Sequence, residues 1–77
     1  MREVVDVLVR ALVDNPDAVT VTEEDRRGRT VFLRVNVGPG DMGKVIGRQG
    51  RIANAIRQVA SGVAAHDDLR VVVDFSD

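Results

Sequence analysis

Val37-Gly-Pro-Gly-Asp-Met-Gly-Lys-Val-Ile-Gly-Arg-Gln-Gly50 (VGPGDMGKVIGRQG) holds five of the chain's seven glycines and one of its two prolines. Three motifs overlap within it. Gly38-x-Gly40-x-x-Gly43 has the spacing of a dinucleotide fingerprint, and Gly38-x4-Gly43-Lys44 approaches a P-loop. Gly47-Arg48-Gln49-Gly50, set between two apolar stretches, has the form of a nucleic-acid clamp.

The first two motifs fail on what their chemistry requires. A dinucleotide fold needs a long βαβ unit and an acidic residue roughly 20 positions on for the ribose. Here the helix after the glycines breaks at Gly47, and residues 60–65 read Ala-Ser-Gly-Val-Ala-Ala. A P-loop needs Ser or Thr after its lysine to ligate magnesium, and this chain has Val45. The 77 residues also leave too little chain for the parallel sheet that carries such a loop.

On either side of the glycines the hydrophobic period changes. Upstream, Val31, Leu33, Val35 and Val37 alternate with Thr30, Phe32, Arg34 and Asn36, which predicts a strand over 30–37. Before it, Val19 and Val21 alternate with Thr20 and Thr22 in a short strand, with a turn at Asp25-Arg26-Arg27-Gly28, so the two strands form a hairpin. Residues 2–14 read as an amphipathic helix with Val5, Leu8 and Leu12 on its stripe, widened by Val4, Ala11 and Val13. Asn15-Pro16 ends it, because the residue before proline disfavours helix. Downstream, Asp41 is a natural N-cap for a short helix carrying Met42, Val45 and Ile46. Residues 51–64 form a second helix with Ile52, Ile56, Val59 and Val63 on one stripe and Ala53, Ala55 and Ala60 as small packing partners. Leu69, Val71, Val73 and Phe75 make a last strand, parallel to 30–37 because a helical crossover joins them. The expected fold is α+β, in the order α-β-β-α-α-β, with a three-stranded mixed sheet backed by helices. One domain over residues 1–77 is the expectation for this length.

Charge is distributed unevenly. The formal net charge is −1, yet residues 1–25 carry −5, residues 26–57 carry +7 and residues 58–77 carry −3. The basic block surrounds the glycine stretch, which points to a local polyanion site in an acidic protein. Whether the acidic ends fold back over that block is left open by the sequence. With no cysteine, a disulfide framework and a cysteine-ligated zinc site are excluded. The start lacks a signal-peptide layout and no apolar run approaches about 20 residues, so the expected location is the cytosol. His66 is the single histidine, and no nucleophile–base or paired-carboxylate pattern stands out, so neither an enzyme nor a cofactor or metal site is expected.

Gly47-x-x-Gly50 joins two helices. Its backbone N–H groups, together with the start of the following helix, would form an outward-facing anion site. Arg51 sits in the first helical turn, where the helix dipole disfavours a cation; an anionic ligand would remove that conflict. Val45-Ile46-Gly47-Arg48-Gln49-Gly50-Arg51-Ile52 resembles the signature of KH domains: an apolar pair, GxxG, then an apolar residue of the next helix. The element order resembles the type II, or prokaryotic, KH topology over essentially the whole chain. In length the chain is similar to the small bacterial single-KH RNA-binding proteins of the KhpA type.

That resemblance implies binding of single-stranded RNA, about four nucleotides at a time, with GxxG clamping the backbone. Gly47, Arg48, Gln49 and Gly50 would meet sugar-phosphate, and Lys44, Arg48 and Arg51 would supply charge. Ile46 and Ile52 would form an apolar floor for bases near the outward face of strand 30–37, although both serve equally well as core. With only Phe32 and Phe75 as aromatics, base stacking contributes little, so sequence selectivity is expected to be modest. The resemblance further implies a small RNA chaperone or post-transcriptional regulator that self-associates as a homodimer and pairs with a second KH protein of the KhpB type. Gly62 with Ala60, Ala64 and Ala65 offers a surface for such pairing. The competing reading is a KH-shaped protein–protein interaction module with little RNA binding of its own.

Overall fold

The computed structural model describes residues 1–76. Its elements are α1 (Arg2–Leu12), β1 (Thr20–Arg27), β2 (Thr30–Asn36), α2 (Met42–Ile46), α3 (Arg51–His66) and β3 (Arg70–Ser76), with short 3-10 turns at Pro16–Ala18 and Arg48–Gly50. β1 pairs antiparallel with β2, and β2 pairs parallel with β3, in the sheet order β1-β2-β3. The α-β-β-α-α-β order and the mixed three-stranded sheet are those of the type II KH fold. Parallel pairing of β2 with β3 follows from the α2–α3 crossover, as the sequence predicts.

The alternation in β2 sends Val31, Leu33 and Val35 into the core, where each is almost completely buried. They meet Val5 and Val9 of α1, Val45 of α2, Ile56 and Ala60 of α3, and Val73 of β3. Valine dominates this interior. Its stiff side chain has one strongly preferred rotamer in a helix, which limits the freedom lost on packing.

Four sequence expectations need correction. First, α1 ends at Leu12 rather than residue 14, and Val13 is already extended. The N–H groups of Asp14 and Asn15 donate to the Asp41 carboxylate at 3.3 and 3.0 Å, which they could not do while bonded within a helix. Second, Asp41 stands at the start of α2 but its side chain makes no cap hydrogen bond there. Buried to 4% exposure, it ties the α2 entry to the chain reversal after α1, and those two N–H donors compensate its burial.

Third, β1 runs through Arg27, into the turn expected at Asp25–Gly28, and the chain reverses at Gly28-Arg29. A bulge at Glu24 interrupts the register between Glu23 and Asp25. Past Val21 every β1 residue is exposed, so no apolar alternation marks the strand in the sequence.

Fourth, the buried faces of both long helices are rotated from those expected. Val5 and Val9 face the core in α1, while Leu8 is half-buried and Leu12 exposed. In α3 the buried set is Ala53, Ile56, Ala60 and Ala64, leaving Val59 exposed and Ile52 half-buried. Alanines let the helix axis approach the sheet closely. Ala60 and Ala64, both 0% exposed, are therefore core residues and not available for pairing with another chain.

Candidate nucleic-acid interface

α2 is only five residues long and closes where the Gly47 N–H donates to the Gly43 carbonyl at 2.9 Å. Gly47 then takes φ 73°, ψ 177°, a combination essentially reserved for glycine. A Cβ there would lie 2.6 Å from Ile52 Cγ1. The chain continues through Arg48 to Gln49 at φ 58°, ψ 24°, and Gly50 at φ 75°, ψ 15°, both left-handed. A left-handed glutamine is uncommon, and it is held here by the tight turn that surrounds it.

Hydrogen bonds account for some of the loop's donors and leave others free. The Gly50 N–H donates to the Gly47 carbonyl at 3.2 Å, and the Arg51 N–H to the Arg48 carbonyl. The N–H groups of Arg48 and Gln49 have no protein acceptor among the described residues. Two adjacent free N–H groups at an exposed turn are what an anion-binding concavity requires.

The acidic ends do fold back over part of the basic block. Arg27 pairs with Asp25 at 3.0 Å, and Arg29 with Asp68 at 3.0 Å. Arg34 pairs with Glu24 at 2.7 Å and reaches Asp74 at 3.9 Å. The Glu24 hydrogen bond, then its charge, raises the Arg34 guanidinium above its ordinary value. Lys44 lies 3.5 Å from Asp14, but both side chains are solvated, so the pair is weak and screened by salt. Among the described residues, Arg48, Arg51 and Arg57 have no carboxylate within 4.0 Å. Arg26 in β1 and Arg70 in β3 are likewise without such a pair, but the three uncompensated cations that gather in one place lie on the loop and along the first two turns of α3.

Most of the expected site residues are brought together. Lys44 and Ile46 end α2; Gly47, Arg48, Gln49 and Gly50 form the turn; Arg51 and Ile52 begin α3. Arg48, Gln49 and Arg51 are exposed, and Arg51 Nη2 reaches Gln49 Oε1 at 3.4 Å. Ile46 is half-buried against the core cluster. Ile52 covers Gly47 and turns toward α1, where it lines an apolar groove of about 370 Å³ with Leu8, Leu12, Ala55 and Val59.

Ile46 and Ile52 do not lie beside the outward face of strand 30–37, where they were expected. The outward face of β2, with Phe32 and Arg34, lies on the side of the sheet away from the helices; the strand beside α2 and α3 is the edge strand β3. Across that junction Arg57 of α3 donates through Nε to the Val73 carbonyl at 3.2 Å, and its guanidinium sits 5.1 Å from the Phe75 ring centre. Sequence reasoning counted Arg57 only as charge. Its pairing with a strand 16 and 18 positions away leaves no periodic signature.

No cluster of three or more His, Asp or Glu side chains able to hold a metal occurs among the described residues. Among the described residues no helix is long and apolar enough to cross a membrane.

The comparisons agree with this fold over nearly its full length. The family model described as "KhpA/KhpB, KH domain" matches residues 2–75. "RNA-binding protein KhpA" of Caldanaerobacter subterraneus is 47% identical over 75 residues, covering 97% of this chain and 99% of that protein. The protein of the same name from Halalkalibacterium halodurans is 44% identical over 77 residues, covering all of both chains. That of Mycobacterium tuberculosis is 49% identical over 73 residues, covering 94% of this chain and 89% of the relative. With its α-β-β-α-α-β order, its GxxG turn and this full-length similarity, the chain belongs to the KhpA/KhpB family of KH domains.

Proposed function

We propose that this chain, as a single KH domain, binds single-stranded RNA, with Gly47 to Gly50 clamping the sugar-phosphate backbone. The observation that carries the reading is the coincidence of free N–H groups at Arg48 and Gln49 with the uncompensated cations Arg48 and Arg51. Gly47 and Gly50 keep side chains out of the turn so that a backbone can approach. Lys44 joins from the end of α2, since its solvated pair with Asp14 yields readily to a phosphate. Ile46 offers apolar surface to a base, and Ile52 supports the turn from beneath Gly47. The names of the relatives, which describe them as RNA-binding, support the same reading.

Affinity of this kind rests on phosphates and falls with salt. About three neutralised phosphates give a log–log salt slope of roughly −2 for a single strand. Fluorescence anisotropy with a labelled ten-nucleotide RNA, repeated across a salt series, measures it. The same sequence as a duplex is expected to bind more weakly, because an A-form helix does not splay its bases for a groove. A slope near zero, or equal binding of the duplex, contradicts the clamp. Binding that is modest in sequence preference suits a small RNA chaperone or post-transcriptional regulator acting in the cytoplasm.

A second reading, self-association as a homodimer, is favoured by the groove between α1 and α3. Leu12 and Val59 are 39% and 46% exposed there, large apolar side chains that a second copy would cover. The groove begins beside Arg51 and Ile52, so pairing would place two clamps close together and raise avidity. The same surface suits a second KH protein of the KhpB type. Light scattering is expected to give twice the monomer mass for the parent chain and the monomer mass for Val59→Glu. A strictly monomeric parent at high concentration removes this reading.

A further inference from the structure

Seven positions separate Arg57 from Gly50 in the chain. Seven residues advance a helix by about two turns and roughly 10 Å, returning to nearly the same face. Arg57 therefore lies further along the face on which the GxxG turn ends. That distance falls within the reach of the roughly four nucleotides that such a clamp holds.

Its guanidinium is fixed on several sides. Nε donates to the carbonyl of Val73 on the edge strand at 3.2 Å, and Nη1 donates to Asn54 Oδ1 at 3.3 Å. The Phe75 ring lies 5.1 Å below, a cation–π arrangement that sets the plane. A guanidinium has five N–H donors. Two are engaged here, which leaves Nη2 with both hydrogens and Nη1 with one. No carboxylate lies within 4.0 Å among the described residues to occupy them. The chain has no Trp or Tyr to stack a base, so this oriented fork is the best-defined polar reader along the face.

Resting on the RNA-binding reading above, we propose that Arg57 is the residue that sets base preference, and that it selects a base with two adjacent acceptors, cytosine or guanine. Cytosine presents O2 and N3 side by side, and guanine presents O6 and N7. Uracil sets its N3–H donor between two acceptors and adenine sets its amino donor beside N7 or N1, so each can satisfy only one N–H of the fork. Phe75 is a positioning residue, acting through Arg57 by holding its plane.

The test uses labelled ten-nucleotide RNAs: all uridine, or uridine with its two central positions changed to cytidine, guanosine or adenosine. The parent protein is expected to bind the cytidine or guanosine RNA about five- to tenfold more tightly than the uridine RNA, the lower end of what a bidentate pair supplies. Arg57→Lys keeps the cation but not the planar fork. It is expected to lose the preference for the cytidine RNA and to narrow that for the guanosine RNA, whose O6 and N7 a lysine can still reach. Phe75→Leu should shrink the preference without abolishing uridine binding, which a purely structural role for the ring would not do. Parent binding without a preference, or the same preference in Arg57→Lys, overturns the inference and leaves the clamp standing. A parent that binds none of the RNAs overturns both.

Discussion

Gly47→Ala is expected to destabilise the fold by about 2–6 kcal/mol, seen as a fall in Tm on the order of 10–45 °C in a circular-dichroism melt. Two costs combine at this position. The backbone, at φ 73° and ψ 177°, sits where a side chain is strained by about 1–3 kcal/mol. The added Cβ would also meet Ile52 Cγ1 at 2.6 Å and Cδ1 at 2.9 Å. Ile52 is packed against the core, so moving it aside carries an overpacking cost of a further ~1–3 kcal/mol. Gly50→Ala separates the two effects, since its φ of 75° and ψ of 15° are left-handed but nothing lies within 4 Å of its Cβ position. That variant should lose only about 1 kcal/mol. Gly43→Ala, in ordinary helix with open space around it, should be neutral or slightly stabilising. Equal losses for the Gly47 and Gly50 variants would show that Ile52 does not constrain the turn.

The features that were legible in the sequence are those with a local period. Alternation over Thr30–Asn36, the change to helical spacing after Gly40 and the break at Gly47 place the hairpin strand, the two helices and the turn between them. The crossover then fixes β3 as parallel. What escaped depends on which of several apolar faces wins. In α1, positions 4, 5, 7, 8, 9, 11 and 12 are all apolar, so the sequence hardly distinguishes the Val5–Val9 stripe from Leu8–Leu12. In α3, close approach to the sheet favours alanine over the larger Val59, the reverse of ranking by hydrophobicity.

The site divides in the same way. GxxG and its flanking cations are contiguous in the chain and could be read directly. Some of the pairs that neutralise other cations of the basic block join residues far apart in sequence, as Arg29 with Asp68 and Arg34 with Asp74 do. The Asp41 carboxylate is a second case, since its partners lie 26 and 27 positions upstream. Arg57 over Phe75 is a third. Only tertiary structure separates the cations that remain free from those already compensated.

The double substitution Arg48→Asp with Gln49→Asp is expected to remove RNA binding while leaving the fold unchanged. A charge about 4 Å from a phosphate is worth roughly 1–4 kcal/mol near a protein surface. Reversing one charge and adding another beside it should therefore weaken binding by at least about 2 kcal/mol, or ~30-fold. Stability should hold because both side chains are exposed and neither touches the core. Position 49 is left-handed, a conformation that aspartate adopts more readily than most residues. Coincident melting curves for parent and variant would establish that the fold is intact. The deciding measurement is an anisotropy titration of one labelled single-stranded RNA with the parent and the double variant side by side at low salt. Saturable binding by the parent and none by the variant is the expected result; equal binding by both would place the RNA site away from the Gly47–Gly50 turn.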